Sequence, residues 1–358
     1  MVLKSPKHKE NIKNLAGSLG IALVATIITL SIGEAVLRLI RKPLSLVESS
    51  SDYYQFNYAY GIEPKPNLKY IEYGFDVFTN SLSLYGPAVG PKSDQVRIAY
   101  MGDSYSVGPG IDTKDNYPTK VTEVLAKKFN RKFDFVIGGY GGSSPATQAT
   151  VLERKILPLK PNVIVYELYD NDPGDDYVFH YSPYFARMQV YDLFPAPLRQ
   201  LQITQQFILL ASNQLSKYLD FRYNQGERIL DGSGLLHKKI DYVWNSYTKP
   251  ALWKMLEASK QNGASFYLFH IPIGWDFDNE YNHETKALER YFLGTYAKVW
   301  ADEEDVPYID MYDTFKENNT ETLNELYLPG ERGYHLTEQG AQLVTDKLVD
   351  LITQHEQF

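Results

Sequence analysis

The most regular pattern in the chain runs from residue 96 to residue 353, where short apolar runs alternate with amphipathic stretches. Val96–Met101 (VRIAYM), Phe133–Ile137, 162–168 (NVIVYEL), Ser265–Ile271 and 306–311 are short and apolar, and predict strands buried in a sheet. Residues 118–129 carry Val121, Val124, Leu125 and Phe129 on one face and predict a helix. Residues 148–157 and 251–261 predict two more, the second stopped by Asn262-Gly263. In 339–353, Ala341, Val344, Leu348, Leu351 and Ile352 recur at helical spacing and mark the buried side of a last helix. Five strands separated by helices predict an α/β fold, a three-layer α/β/α sandwich around a mainly parallel five-stranded sheet. Ligands in such sheets sit beyond the carboxyl ends of the strands.

Three regions depart from this pattern. Residues 15–32 (LAGSLGIALVATIITLSI) contain no charge, and apolar residues resume after Glu34 as far as Ile40. A helix over 15–32 is ~27 Å long, about the thickness of a bilayer's hydrocarbon. Residues 1–14, with Lys4, Lys7, Lys9 and Lys13 against Glu10, form a basic flank. This reads as the cytoplasmic side, although Arg38, Arg41 and Lys42 load the other flank too. The first reading of 15–40 is a single-pass transmembrane signal anchor with an extracytoplasmic domain. A cleaved signal peptide and a buried core helix are the alternatives. Residues 41–95 are rich in Tyr and Pro without a sustained period, and read as an extended linker packing on the domain of 96–354. Residues 173–250 interrupt the alternation with aromatic loops and a helical stretch at 197–219, and read as an insertion that shapes a pocket.

Composition narrows the chemistry. Thirty-six Lys and Arg against 44 Asp and Glu give a net charge of −8, which argues against nucleic acid as a partner. The absence of cysteine excludes a disulfide scaffold, a thiolate metal site and a Cys nucleophile.

Four motifs remain. Gly102-Asp103-Ser104 follows the first strand, where a serine hydroxyl near a base acts as a nucleophile. Gly138-Gly139-Tyr140-Gly141-Gly142 follows the second, and glycines let backbone N–H groups approach a ligand. It matches neither a Walker loop nor G-x-G-x-x-G. Tyr169-Asp170-Asn171-Asp172 ends the third strand, and the Asn amide is a donor for an oxyanion. The acidic run that continues to Asp176 lacks the glycine placement of an EF-hand loop. His335, in Gly333-Tyr334-His335-Leu336-Thr337, precedes the last helix and is the candidate general base. His270 lies inside an apolar strand and reads as a core residue; His180 and His283 read as loop residues.

Each motif alone is weak, and a tight turn or a capping histidine explains it as well. In series they put Ser, Gly, Asn and His after successive strands, and this resembles the SGNH (GDSL-type) hydrolase superfamily over residues 96–350. Its blocks are similar to Gly102–Gly108, Gly139 with Gly142, Asn171-Asp172 and His335-Leu336-Thr337 followed by Gly340. The layout is also similar to membrane-anchored bacterial members. The resemblance implies a flavodoxin-like sheet and hydrolysis of an ester or O-acyl group, without a cofactor or metal. Ser104 is then the nucleophile and His335 the base, while the Ser104 and Gly139 N–H groups and the Asn171 side chain form the oxyanion hole. The family's acid, two or three residues before its His, is replaced here by Gly333 and Arg332. That leaves Glu331, or a backbone carbonyl, to orient the imidazole. Ile137 and Tyr169 also stand where the family has Asn and Gly. The implied substrate is an O-acylated carbohydrate or lipid. An O-acyltransferase on the same site and a non-catalytic glycan-binding protein are the alternatives.

Overall fold

The computed structural model describes residues 6–40, 47–224, 236–272, 284–318, 325–328 and 335–358. The chain starts with one long helix, α1 (Pro6–Ile40). Its Gly17–Ile40 portion is apolar and long enough to cross a membrane, and none of its most apolar window is buried against protein.

Residues 47–95 are more ordered than an extended linker. β1 (Val47–Ser49), β2 (Tyr54–Asn57) and β3 (Gly61–Pro64) form a small antiparallel sheet, and β4 (Lys69–Glu72) pairs with β5 (Phe75–Phe78) in a hairpin. This segment is tied to the domain at several points. Lys155 forms a buried ion pair with Glu63 at 2.6 Å, and Arg154 donates to the Ala59 carbonyl. Tyr85 forms a bridge to Ile137, covering an edge that would otherwise be open to pairing.

The domain begins with β6 (Val96–Met101), α2 (Ser104–Val107), α3 (Tyr117–Phe129), β7 (Phe133–Ile137) and α4 (Pro145–Val151). The expected helix over 148–157 is three pieces. After α4 the backbone widens to a π turn at Leu152–Ile156 and tightens to a 3-10 turn at Leu157–Leu159, where Pro158 cannot donate. β8 (Val163–Tyr169) follows. The insertion is helical throughout its described part: α5 (Asp172–His180), α6 (Pro183–Asp192), α7 (Ala196–Arg199), α8 (Gln202–Asn224) and α9 (Leu236–Val243). α10 (Lys249–Gln261), β9 (Ser265–Ile271), α11 (Glu284–Glu304), β10 (Tyr308–Asp310), α12 (Tyr312–Asn318) and α13 (Glu338–His355) complete the fold.

The sheet order is β10-β9-β8-β6-β7, and every pairing is parallel. This is the flavodoxin-like order, with its topological switch between β6 and β8. Alternate strand residues enter two cores. Ala99, Met101, Ile164, Tyr166 and Leu268 pack on one face with residues of α4, α10 and α11. Ile98, Tyr100, Val163, Val165 and Phe269 pack on the other with α3 and α13. Both faces are covered, which is why the strands read as nearly unbroken apolar runs. At the amino ends, buried Arg97 makes a two-pronged contact with Asp134 at 2.8 and 2.6 Å and closes the base of the sheet.

Candidate active site

The switch point places Ser104 after β6 and Asn171 after β8, on either side of the crevice. Gly102 makes the turn out of β6 with φ 142°, and a Cβ there would meet the Glu167 side chain at 2.7 Å, so only glycine fits. Asp103 then caps α2 by accepting the Tyr105 N–H at 3.1 Å. Ser104, the first residue of α2, emerges at the carboxyl edge.

His335 arrives from the far end of the chain. Its carbonyl accepts the Leu328 N–H, Tyr327 bridges to Leu336, and Thr337 caps α13 by accepting the Gly340 N–H. So held, His335 puts Nε2 2.7 Å from Ser104 Oγ. The imidazole packs against the Tyr105 ring at 5.1 Å, and Tyr105 packs on Tyr169 at 4.5 Å. A hydroxyl and an imidazole at this distance are placed for proton transfer.

The glycine loop has two roles. Gly139 packs behind the turn that carries Ser104: a Cβ there would overlap Ser106 Oγ and meet the Gly102 and Asp103 carbonyl oxygens at 2.8 and 3.0 Å. Gly141 faces Ser104, since a Cβ on it would lie 3.8 Å from Ser104 Cβ and 3.6 Å from the Tyr54 hydroxyl. Asn171 is exposed at the mouth, and its Nδ2 donates to Asp175 Oδ2 at 2.9 Å. In this arrangement the amide serves a neighbouring carboxyl.

Carboxyl groups crowd the floor. Glu167, a charged residue within the apolar β8, is fully buried beside Asp103. The Glu167 and Asp103 carboxyls share a hydrogen bond, and the Ser106 N–H also reaches Glu167. Burial, then the charges of Asp103 and Asp172, holds the Glu167 carboxyl well above the usual range. Burial raises Asp103 too, partly offset by the Tyr105 N–H and by His335. Asp175 is pushed up to about 7 by burial and by Asp103 and Asp176. Asp176, which accepts the Ala146 N–H and the Thr248 hydroxyl, reaches about 6 through burial.

Glu331, Arg332 and Gly333 lie outside the described residues, as does His283. Two other carboxyls stand within the electrostatic reach of His335. One is Asp103, 3.4 Å from Ser104 Oγ. The other is Glu72, from the β4–β5 hairpin; burial raises its carboxyl and His335 draws it back down. Glu72, Tyr54 and Glu167 were not singled out from sequence, and Gly141 and Asp175 were named only as parts of the glycine loop and the acidic run. An acid inside an apolar strand was the available signal for Glu167. The hairpin residues carried none, because their place depends on how residues 47–95 fold back.

His270 is buried as expected, but between charges: Nε2 is 3.1 Å from Asp170 and Nδ1 3.2 Å from Asp310. Burial opposes its protonation, yet the two aspartates push it up to about 10, so it binds the carboxyl ends of β8, β9 and β10 as an imidazolium. His180 sits in the last turn of α5, half-buried against Phe185 and Tyr247, rather than in a loop. Among the described residues no group of three or more His, Asp and Glu is arranged to hold a metal ion.

No family model matches the chain, and no curated protein does. Solved structures similar to it include a lipase from a goat rumen metagenome, 13% identical, TM-score 0.46, covering 72% of this chain and 97% of its own. An acetylxylan esterase from Geobacillus stearothermophilus is 14% identical, TM-score 0.43, over 74% and 96%. A lipase/acylhydrolase from Enterococcus faecalis is 12% identical, TM-score 0.42, over 74% and 100%. The chain's own topology is the firmer ground: it has the flavodoxin-like α/β/α fold that the SGNH resemblance implies, and it brings Ser104 and His335 into contact.

Proposed function

We propose that the chain is a membrane-anchored serine esterase or deacylase that cleaves an ester or O-acyl group on a carbohydrate or lipid outside the cytoplasm. The observation that carries this reading is the 2.7 Å contact between Ser104 Oγ and His335 Nε2, made across 231 residues of sequence. Ser104 Oγ attacks the acyl carbonyl while His335 Nε2 takes its proton. The resulting imidazolium is stabilised by the Asp103 and Glu72 carboxylates. The negative oxygen of the tetrahedral intermediate is held by the Ser104 and Gly139 N–H groups and by Asn171 Nδ2, once that amide leaves Asp175. One such donor is typically worth about 2.7–4 kcal/mol. The intermediate collapses as the imidazolium gives its proton to the leaving alkoxide. Water, deprotonated by His335, then attacks the acyl-serine and releases the acid. α1 anchors the enzyme, with the Lys-rich residues 1–14 on the cytoplasmic side.

The test is labelling of detergent-solubilised full-length protein by a fluorophosphonate, comparing wild type with Ser104→Ala and His335→Ala. Labelling that requires both residues is expected. A folded wild type that does not label would refute the reading and leave a binding protein. Acyl transfer to an added glycan in preference to water would convert it to an acyltransferase.

A further inference from the structure

α8 has two faces. Ile208, Ser212, Leu215 and Leu219 recur at helical spacing and turn inward, where Ile208 and Leu215 pack with Phe56, Met188 and Val190. The outward positions repeat at the same spacing, and four of them are apolar: Phe207, Leu210, Tyr218 and Phe221 are 54–66% exposed, interrupted by Gln214 and bordered by Lys217. Soluble surfaces seldom present such a stripe to water.

The stripe begins where α8 meets α1. The Glu34 carboxylate accepts the Gln202 and Ile203 N–H groups at 3.0 Å each, capping α8 with a side chain from α1, and also accepts from Arg38. Between α1 and the α7–α8 segment lies a groove of ≈ 680 Å³ whose α1 wall runs from Ile27 to Arg38. Ile27 and Leu30 of α1 form one wall; Leu198 of α7 and Phe207 of α8 form another. Ile27 lies seven residues before Glu34, ~10 Å further along the helix axis. Phe207 and Leu198 thus line one groove with apolar residues of α1 as well as with the Glu34–Arg38 pair.

We propose that the outward stripe of α8, together with α7, lies in the lipid leaflet from which α1 emerges, and that lipid acyl chains fill the groove between α1 and α8. The occupant is lipid because the groove's own wall is the helix read as the anchor, and the stripe continues that apolar surface. Glu34 and Arg38 mark the polar boundary. The domain is then held against the membrane by two elements at an angle, which limits its rotation about the anchor. This inference rests on the reading of α1 as a membrane anchor.

The chain has no cysteine, so single-cysteine variants of the full-length protein can be labelled without background. Phe207→Cys, Leu210→Cys and Phe221→Cys report on the stripe, Asn213→Cys on the flank of α8, and Leu23→Cys on α1. Each variant carries an environment-sensitive fluorophore and is reconstituted into phosphatidylcholine–phosphatidylglycerol vesicles containing doxyl lipids. Quenching of about twofold and a blue shift are expected at the three stripe positions and at residue 23, with residue 213 remaining aqueous. Quenching at 23 without quenching on the stripe overturns the docking and leaves the anchor standing. No quenching at 23 overturns the anchor and the docking with it. A stripe shielded from water but not quenched by lipid, and re-exposed when protein is diluted in the membrane, assigns the face to a second copy and overturns the lipid assignment.

Discussion

The carboxyl pair beneath Ser104 gives the molecule a measurable pH signature. The Glu167 carboxyl holds its proton to higher pH in the folded state than in the unfolded chain, where it ionises around 4.5. Across the interval between those two values the unfolded state binds fewer protons than the native state. Stability therefore falls as pH rises, by about 1.4 kcal/mol per unit for one proton. Glu167→Gln preserves shape and an N–H donor toward Asp103 but cannot ionise in either state. Other buried acids, Asp172 among them, keep their share of the slope in both proteins. The variant should thus gain on wild type as pH rises, by up to about 1.4 kcal/mol per unit, or ~3 °C in Tm at ~2 °C per kcal/mol for a chain of this size. Thermal melts of the detergent-solubilised proteins at pH 5.5, 6.5 and 7.5 would show it. Parallel melting curves across that range would refute the shared proton and mean that Glu167 is ionised and satisfied by something else.

Other expectations concern the site. Asp175→Asn should raise the rate above pH 7 and flatten the profile there: the native carboxyl ionises at about 7, and its charge then holds the Asn171 amide and repels an oxyanion; initial rates on an activated acyl ester from pH 6 to 9 decide it. Glu72→Gln should lower kcat about fivefold with KM unchanged, since the charge it removes matters only when His335 is protonated in the reaction. Gly139→Ala should abolish fluorophosphonate labelling and lower Tm, because its Cβ has no room against the Gly102 and Asp103 carbonyls, whereas Gly141→Ala, with contacts of 3.6 Å or more, should fold normally.

The sheet was legible because its strands are buried on both faces, so each apolar run marks a strand without needing its partners. The helix starting at Glu338 was legible because Val344, Leu348, Leu351 and Ile352 recur at helical spacing and face one core. Ser104 and His335 were legible through strand order, since residues after parallel strands share an edge. Residues 47–95 were not, because strands of three and four residues carry too short a pattern to show a period. Their contributions, Tyr54 and Glu72, depend on docking rather than on local sequence. The π turn after α4 was equally hidden, because Leu152 and Ile156 suit an ordinary helix as well.

The contact between Ser104 and His335 also bears on how the chain is made. The serine follows the first strand of the parallel sheet, while the histidine is supplied by the segment entering α13, which packs against the sheet beside α3. A ribosome has finished nearly the whole domain before the two can meet. Until then Ser104 has no imidazole beside it. The Ser104–His335 contact is therefore a late product of folding, absent from a chain halted before residue 335.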